Sequence, residues 1–258
     1  MWQINICMLQ LFYKIQSRKV AWLLPTAILS VLLIDWHWLA MGVLLYFIGF
    51  RWHTLVYHEY QVHRYIKPKH WIVELIGYLH LAVVEWQSPK KKILYHQLHH
   101  ENYLDLNDDP TTAKVKRASN MFLYFLDMTP HVAIPNFNKD PNAEQTALYT
   151  WFNSNHLKVL AVSVIAWLIV LPLWSFFAFY LFPMFVWGIV YRSTDWTNER
   201  LGLPDRPWAV LYLGTSAFHS RHHLDDSYNR STYFGTGIYK YLNIDWYIVN
   251  AMFDDYKS

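Results

Sequence analysis

Residues 94–110 read LYHQLHHENYLDLNDDP, and His96, His99 and His100 fall within five positions. On a helix each residue turns about 100°, so these three imidazoles share one sector about 100° wide. Neutral imidazole is a ligand for zinc, copper, iron and nickel. The same H-x2-H-H spacing recurs at His219, His222 and His223 in FHSRHHLDD, and a looser pair, His58 and His63, stands in YHEYQVHRY. Eight histidines in three groups exceed what one four- to six-coordinate ion takes, whereas two ions sharing eight or nine ligands match the count. His58 and His63 are five apart, about 140° around an ideal helix. They are expected to reach two ions or to straddle a helix end.

The segments between the histidines decide the fold class. Residues 20–50 carry one charge, Asp35, and exceed a single membrane span of about 20 residues, so a two-helix hairpin turning near residues 35–37 is expected. Residues 159–191 carry none; as one helix they would run about 50 Å against a hydrocarbon core of about 30 Å, and Pro172 supplies the turn of a second hairpin. Residues 71–86 are apolar but hold Glu74, His80 and Glu85, which suits a helix packed on the membrane surface or dipping into it. Pro68 interrupts any helix arriving through His63, and residues 107–112 and 130–141 read as loops from their Asn, Asp and Pro content. Residues 1–19 mix Trp2, Ile4, Leu9, Leu11, Phe12 and Ile15 with Lys14, Arg18 and Lys19; this is an interfacial amphipathic pattern, and no signal-peptide cleavage site is visible.

The expected architecture is therefore an all-α integral membrane protein forming one domain over residues 1–258. It has four transmembrane helices in two hairpins (about 20–35, 38–57, 151–171 and 174–194) and a cytoplasmic helical cap (58–150 and 195–258). All 22 Lys and Arg lie outside residues 20–50 and 159–191, so the positive-inside rule puts the cap, both termini and all three histidine groups in the cytoplasm.

Composition agrees and excludes alternatives. The chain is 54% hydrophobic and 19% aromatic, with 14 Trp and 19 Tyr, the residues of bilayer interfaces. A mean hydropathy of +0.05 requires a large polar part beside the spans. A single cysteine, Cys7, rules out an internal disulfide, a thiolate cluster and a zinc ribbon. A net charge of +3 is too mild for a nucleic-acid partner. An all-nitrogen site in an iron-supplying cytoplasm favours iron over zinc, with copper behind. A redox pair beside lipid points to oxygen chemistry on an acyl chain, with electrons from elsewhere.

At this level of detail the chain resembles the membrane fatty acid desaturases, in particular the acyl-CoA and Δ9 acyl-lipid branch. That branch shows H-x4-H, H-x2-H-H and H-x2-H-H in this order, here HEYQVH, HQLHH and HSRHH. VHRYIKPKHWIVELIG is similar to the family's stretch after its first box. Pro89 lies seven residues before the second box, and Asp109–Pro110 matches the acidic-Pro step after it. The resemblance covers about residues 53–230. It implies two iron ions held by His58, His63, His96, His99, His100, His219, His222 and His223. It also implies O2, a ferredoxin or cytochrome b5 as electron donor, and a saturated C16 or C18 acyl chain desaturated at Δ9. No room is visible after the last box for a fused haem domain.

Two positions depart from the pattern. Where the family has N-x3-H past its fourth span, this chain has DWTNERLG, with Asp195 at the Asn and Glu199 at the ninth His. At i and i+4 they share a helix face, and a carboxylate serves iron; the alternatives are a one-residue shift that makes Asn198 the polar contact, or a surface capping carboxylate. Lys92 stands where the family tends to have Trp. Lys90, Lys91 and Lys92 read as a solvated or headgroup-facing run, with a grip on an acyl carrier's phosphates as the other option. His53, His70, His80, His131 and His156, outside the boxes, read as satisfied interfacial or core histidines. The competing functions are a lipid, sterol or carotenoid hydroxylase or ketolase using the same boxes, and a metal-binding membrane protein.

Overall fold

The computed structural model describes residues 18–103, 105, 108–126, 128, 139–200, 207–218, 223 and 229–256, and the amphipathic pattern expected over residues 1–19 falls almost wholly outside them. The chain is mostly helical. Three helices are long and apolar enough to cross a membrane: Trp36–Val62, Ala147–Val170 and Leu173–Asp195. Their 27, 24 and 23 residues give about 35–40 Å each, against a core of about 30 Å. The first expected span, 20–35, is the 15-residue helix α1 (Lys19–Leu33), about 22 Å long.

The turns fall where the sequence places them. Asp35 precedes α2 (Trp36–Thr54), whose axis continues as a π-helix over Leu55–Val62. Pro172 stands between two helices, since its ring cannot continue the first and its extended backbone starts the next. The outward faces are apolar, the reverse of a water-soluble bundle: Leu32 and Leu33 on one helix, Ile169 and Val170 on another. Helices meet where side chains vanish. A Cβ on Gly42 would land on the Ala178 carbonyl oxygen, and one on Gly188 would sit 2.5 Å from Val20 Cγ2. In lipid, where apolar burial cannot drive helix association, such close approach is what packs helices together.

The remaining helices are shorter. They include α3 (Trp71–His80), with a π turn Leu81–Glu85, then α4 (Pro89–Glu101), α5 (Pro110–Arg117) and α6 (Met121–Phe125). In α3 the residues Val73, Glu74, Gly77 and Tyr78 are buried while Trp71, Ile72, Ile76 and Leu79 stay exposed. The loop expected over 107–112 ends at Asp109, which caps α5 by accepting from the Thr111 and Thr112 amides; Pro110 takes the first helical position, where its missing N–H is harmless. After the long helices Ala147–Val170 (α7) and Leu173–Asp195 (α8) come the short helices α9 (Val210–Leu213), α10 (Arg230–Tyr233) and α11 (Ile238–Leu242), then α12 (Ile244–Met252).

The all-α expectation omits a small β pairing. Strands Ile66–Pro68 and Phe253–Asp255 run antiparallel, with Lys67 opposite Asp254. Three-residue strands carry too little alternation to be read from sequence. The chain's C-terminal part is fixed a second time by Arg51, near the end of α2. Its guanidinium donates through Nε to Asp245 Oδ1 at 2.9 Å and through Nη2 to Oδ2, and both side chains are buried. Asp245 also accepts from Thr215 N at 2.7 Å and Thr215 Oγ1 at 2.8 Å. The helix that carries His58 thus holds α12 and the segment just before His219.

Candidate metal centre

The first histidine pair is brought together by a change of helix type. The His63 amide donates to the His58 carbonyl at 3.0 Å, an i→i+5 bond closing the π stretch. Residues five apart therefore lie over one another, and the two rings stand 4.7 Å apart. This corrects the ideal-helix expectation of 140°; π turns concentrate at functional sites because they re-aim side chains in this way.

The second group sits on α4, started by Ser88 accepting from the Lys91 amide and by Pro89 in the first turn. His96 and His100, one turn apart, turn their Nε2 atoms toward each other at 3.0 Å. They meet the first pair ring to ring: His58 to His96 at 4.4 Å, His63 to His100 at 4.5 Å. One ligand atom from each of these four histidines lies within 4.8 Å of all the others. His99 lies 5.8 Å from both His96 and His100, ring to ring, and approaches His223 at 4.6 Å. His223 also stacks on His100 at 4.2 Å and on Tyr103 at 4.1 Å. Six of the eight box histidines are thus described, and they form one contiguous set. His219, His222 and the Glu199 side chain lie outside the described residues. Asp195 accepts from the Tyr124 hydroxyl at 2.9 Å and lines a cavity together with His58 and His96.

Two carboxylates stand behind the histidines. Glu59 Oε1 lies 2.7 Å from His58 Nδ1, and Asp109 Oδ1 lies 2.8 Å from His99 Nδ1. Each fixes an imidazole with Nδ1 as donor and the lone pair on Nε2, the arrangement found behind metal-bound histidine. Burial, with the neighbouring histidines adding to it, pushes His96 well below the usual imidazole range, and burial does the same to His63. Both rings are therefore neutral and hold a lone pair at neutral pH. Burial alone would raise the Asp109 carboxyl; its bonds to His99 and Thr112 hold it below the usual carboxylate range. Neutral imidazole donors converging from two helices suit a borderline metal such as iron, copper or zinc, so the residues fit a metal centre.

A small cavity reaches this cluster. His58 and His96 line it together with Phe50, Tyr57, Trp187 and Tyr191. Lys92 flanks this lining, 4.9 Å from the Tyr57 ring centre, and pairs with Glu85 at 3.6 Å. Its side chain is only 12% exposed, which corrects its place in a solvated lysine run; Lys90, bonded to Asp140, keeps that place.

The other histidines divide. His70 caps α3, and His53 Nδ1 lies 2.7 Å from His80 Nδ1, in keeping with core roles. The buried Nε2 atoms of His53 and His156 have no partner among the described residues. His131 lies outside them. Sequence reasoning passed over Glu59, the role of Asp109, and the Arg51–Asp245 pair. The first two had a local signal, an acid adjoining a box histidine and an Asp-Pro helix start; the third is separated by 194 residues and had none.

No family model, no curated protein and no solved structure matches this chain.

Proposed function

We propose that this protein is a membrane acyl desaturase that inserts a cis double bond into a long-chain saturated acyl group. The observation that carries the reading is the juxtaposition of the four-histidine cluster with a cavity lined by His58, His96 and four aromatic side chains. In this reading the three long helices and α1 form two membrane hairpins with the histidine-bearing cap on the cytoplasmic side. His58, His63, His96, His99, His100, His219, His222 and His223 hold two irons, with Glu199 as a further ligand and Asp195 in contact through water. The chain arrives as acyl-CoA or an acyl lipid, and a ferredoxin or cytochrome b5 docks on the basic cytoplasmic face. The bound irons would supply O2 activation. Over one turnover O2 takes two electrons from the donor, two protons from solvent and two hydrogens from adjacent carbons, and leaves as two waters.

The protein's own task is placement. Phe50, Tyr57, Trp187 and Tyr191 exclude water and hold an apolar chain so that one pair of carbons lies near the histidines. Glu59 and Asp109 keep His58 and His99 in a single tautomer. The Glu85–Lys92 pair stands beside the wall residues Tyr57 and Tyr191 and leaves neither partner unneutralised.

Expression in a host lacking its own desaturase, with iron supplied and a ferredoxin co-expressed, tests this. Fatty-acid profiling is expected to show a new C16 or C18 monoene, with the double bond at Δ9. Hydroxylated chains would instead assign the same centre to a lipid hydroxylase. An unchanged profile would overturn the acyl substrate.

A further inference from the structure

We propose that Glu59 is a positioning residue through which the C-terminal segment sets the metal affinity of the first histidine pair. The inference rests on reading the histidine cluster as a metal centre. Glu59 is 2% exposed, and a carboxylate so buried is tolerated only when its oxygens are hydrogen-bonded. One oxygen faces His58 Nδ1 at 2.7 Å. The other accepts from the Tyr233 hydroxyl at 2.5 Å, across 174 residues of chain. Tyr233 closes the short helix α10, beyond the third histidine group.

The same tyrosine reaches the second histidine of the pair. Its ring meets Tyr65 edge to face at 5.4 Å, and Tyr65 stacks on His63 at 5.0 Å. Tyr65 is itself held on both its backbone groups: its amide donates to the Glu59 carbonyl at 2.9 Å, and its carbonyl accepts from the Tyr256 amide at 3.1 Å. Adjacent to it, Ile66 opens the strand that pairs with Phe253–Asp255. His58 and His63 are therefore both backed by residues 233–256. A carboxylate accepting from Nδ1 raises the donor strength of Nε2 and removes the wrong tautomer. Withdrawing Tyr233 frees Glu59 to turn from His58, so the affinity of the pair depends on the C-terminal segment being seated. By linkage the dependence is reciprocal: metal at the pair tightens the seating.

The test uses the full chain, purified metal-free in detergent and titrated with Co2+, whose visible absorption reports coordination. His96→Ala serves as the control for the centre. Glu59→Gln is expected to bind Co2+ about 10- to 100-fold more weakly and with an altered spectrum. Tyr233→Phe, which keeps the ring and loses only the hydroxyl, is expected to lose about 5-fold or more. Hydrogen exchange supplies an activity-free readout: Co2+ should slow exchange over residues 229–256 in the wild type and do so far less in Glu59→Gln. Unchanged affinity and spectrum in both variants, with the wild type binding and His96→Ala not binding, would overturn this inference alone. No Co2+ on the wild type would overturn the metal-centre reading and this inference with it. Should Glu59→Gln fail to fold, Tyr233→Phe decides by the same two measurements.

Discussion

Replacing Asp245 by Ala removes the partner of a fully buried guanidinium. Asp245 receives Arg51 Nε at 2.9 Å, Arg51 Nη2, and the Thr215 amide and hydroxyl at 2.7 and 2.8 Å. Neither charged side chain has access to water that could replace the lost bonds. Breaking a buried pair from one side costs about 3–5 kcal/mol, because an uncompensated charge stays behind. At about 2–4 °C per kcal/mol for a chain of this size, the midpoint should fall by about 6–20 °C. Thermal unfolding in detergent, followed by tryptophan fluorescence, measures it. The double variant Arg51→Met with Asp245→Leu should recover most of the loss, since burying two apolar side chains costs less than burying one lone charge. Gly214→Ala should resemble Asp245→Ala: Gly214 has φ of +54°, and a Cβ there would stand 2.6 Å from Arg51 Nε and closer still to Asp245. A shift under about 2 °C for Asp245→Ala, or single-variant losses that simply add in the double variant, would refute the account.

Three further outcomes are expected. Asp109→Asn keeps an effective helix cap but not the carboxylate behind His99, so stability should hold while metal affinity falls about 10- to 100-fold; Asp109→Ala should in addition lose about 1 kcal/mol of stability in chemical unfolding. Gly42→Val drives a branched side chain into the Ala178 carbonyl, and limited proteolysis should show that the helix packing fails, whereas Gly237→Ala, with open space for its Cβ, should lose far less through its φ of +58° alone. Burial pushes His80 down to about 4, with Glu85 opposing the shift. Because the unfolded form then binds the extra proton, the metal-free protein should keep this contribution above pH 6.5 and lose it as the pH falls toward 4, by up to about 1.4 kcal/mol per pH unit. His80→Asn should flatten the slope measured by unfolding between pH 7 and 5, and an unchanged slope would remove His80 from the account.

Much of this molecule was legible in the sequence, because the signals were local. Uninterrupted apolar runs, Asp35 and Pro172 marked the long helices and their turns, since a chain in lipid must satisfy its backbone within the helix. The i, i+4 spacing of His96 and His100 placed both on one helix face, and their Nε2 atoms do meet. What the sequence left open is decided by helix type and by contacts between distant segments. His58 and His63 diverge on an α-helix and converge here because the backbone switches to i→i+5 bonding, a choice no residue of YHEYQVHRY spells out. The partners of the second triple, with His96 and His100 meeting the first pair and His99 meeting Asp109, depend on what packs against α4. Lys92 looks solvated beside Lys90 and Lys91, yet Glu85 and two tyrosine rings draw it to the cavity wall. Arg51 with Asp245 and Glu59 with Tyr233 join residues 194 and 174 positions apart. Only folding determines which groups so far apart in the chain share a buried hydrogen bond, because that depends on how the helices pack and not on the spacing of residues along any one of them.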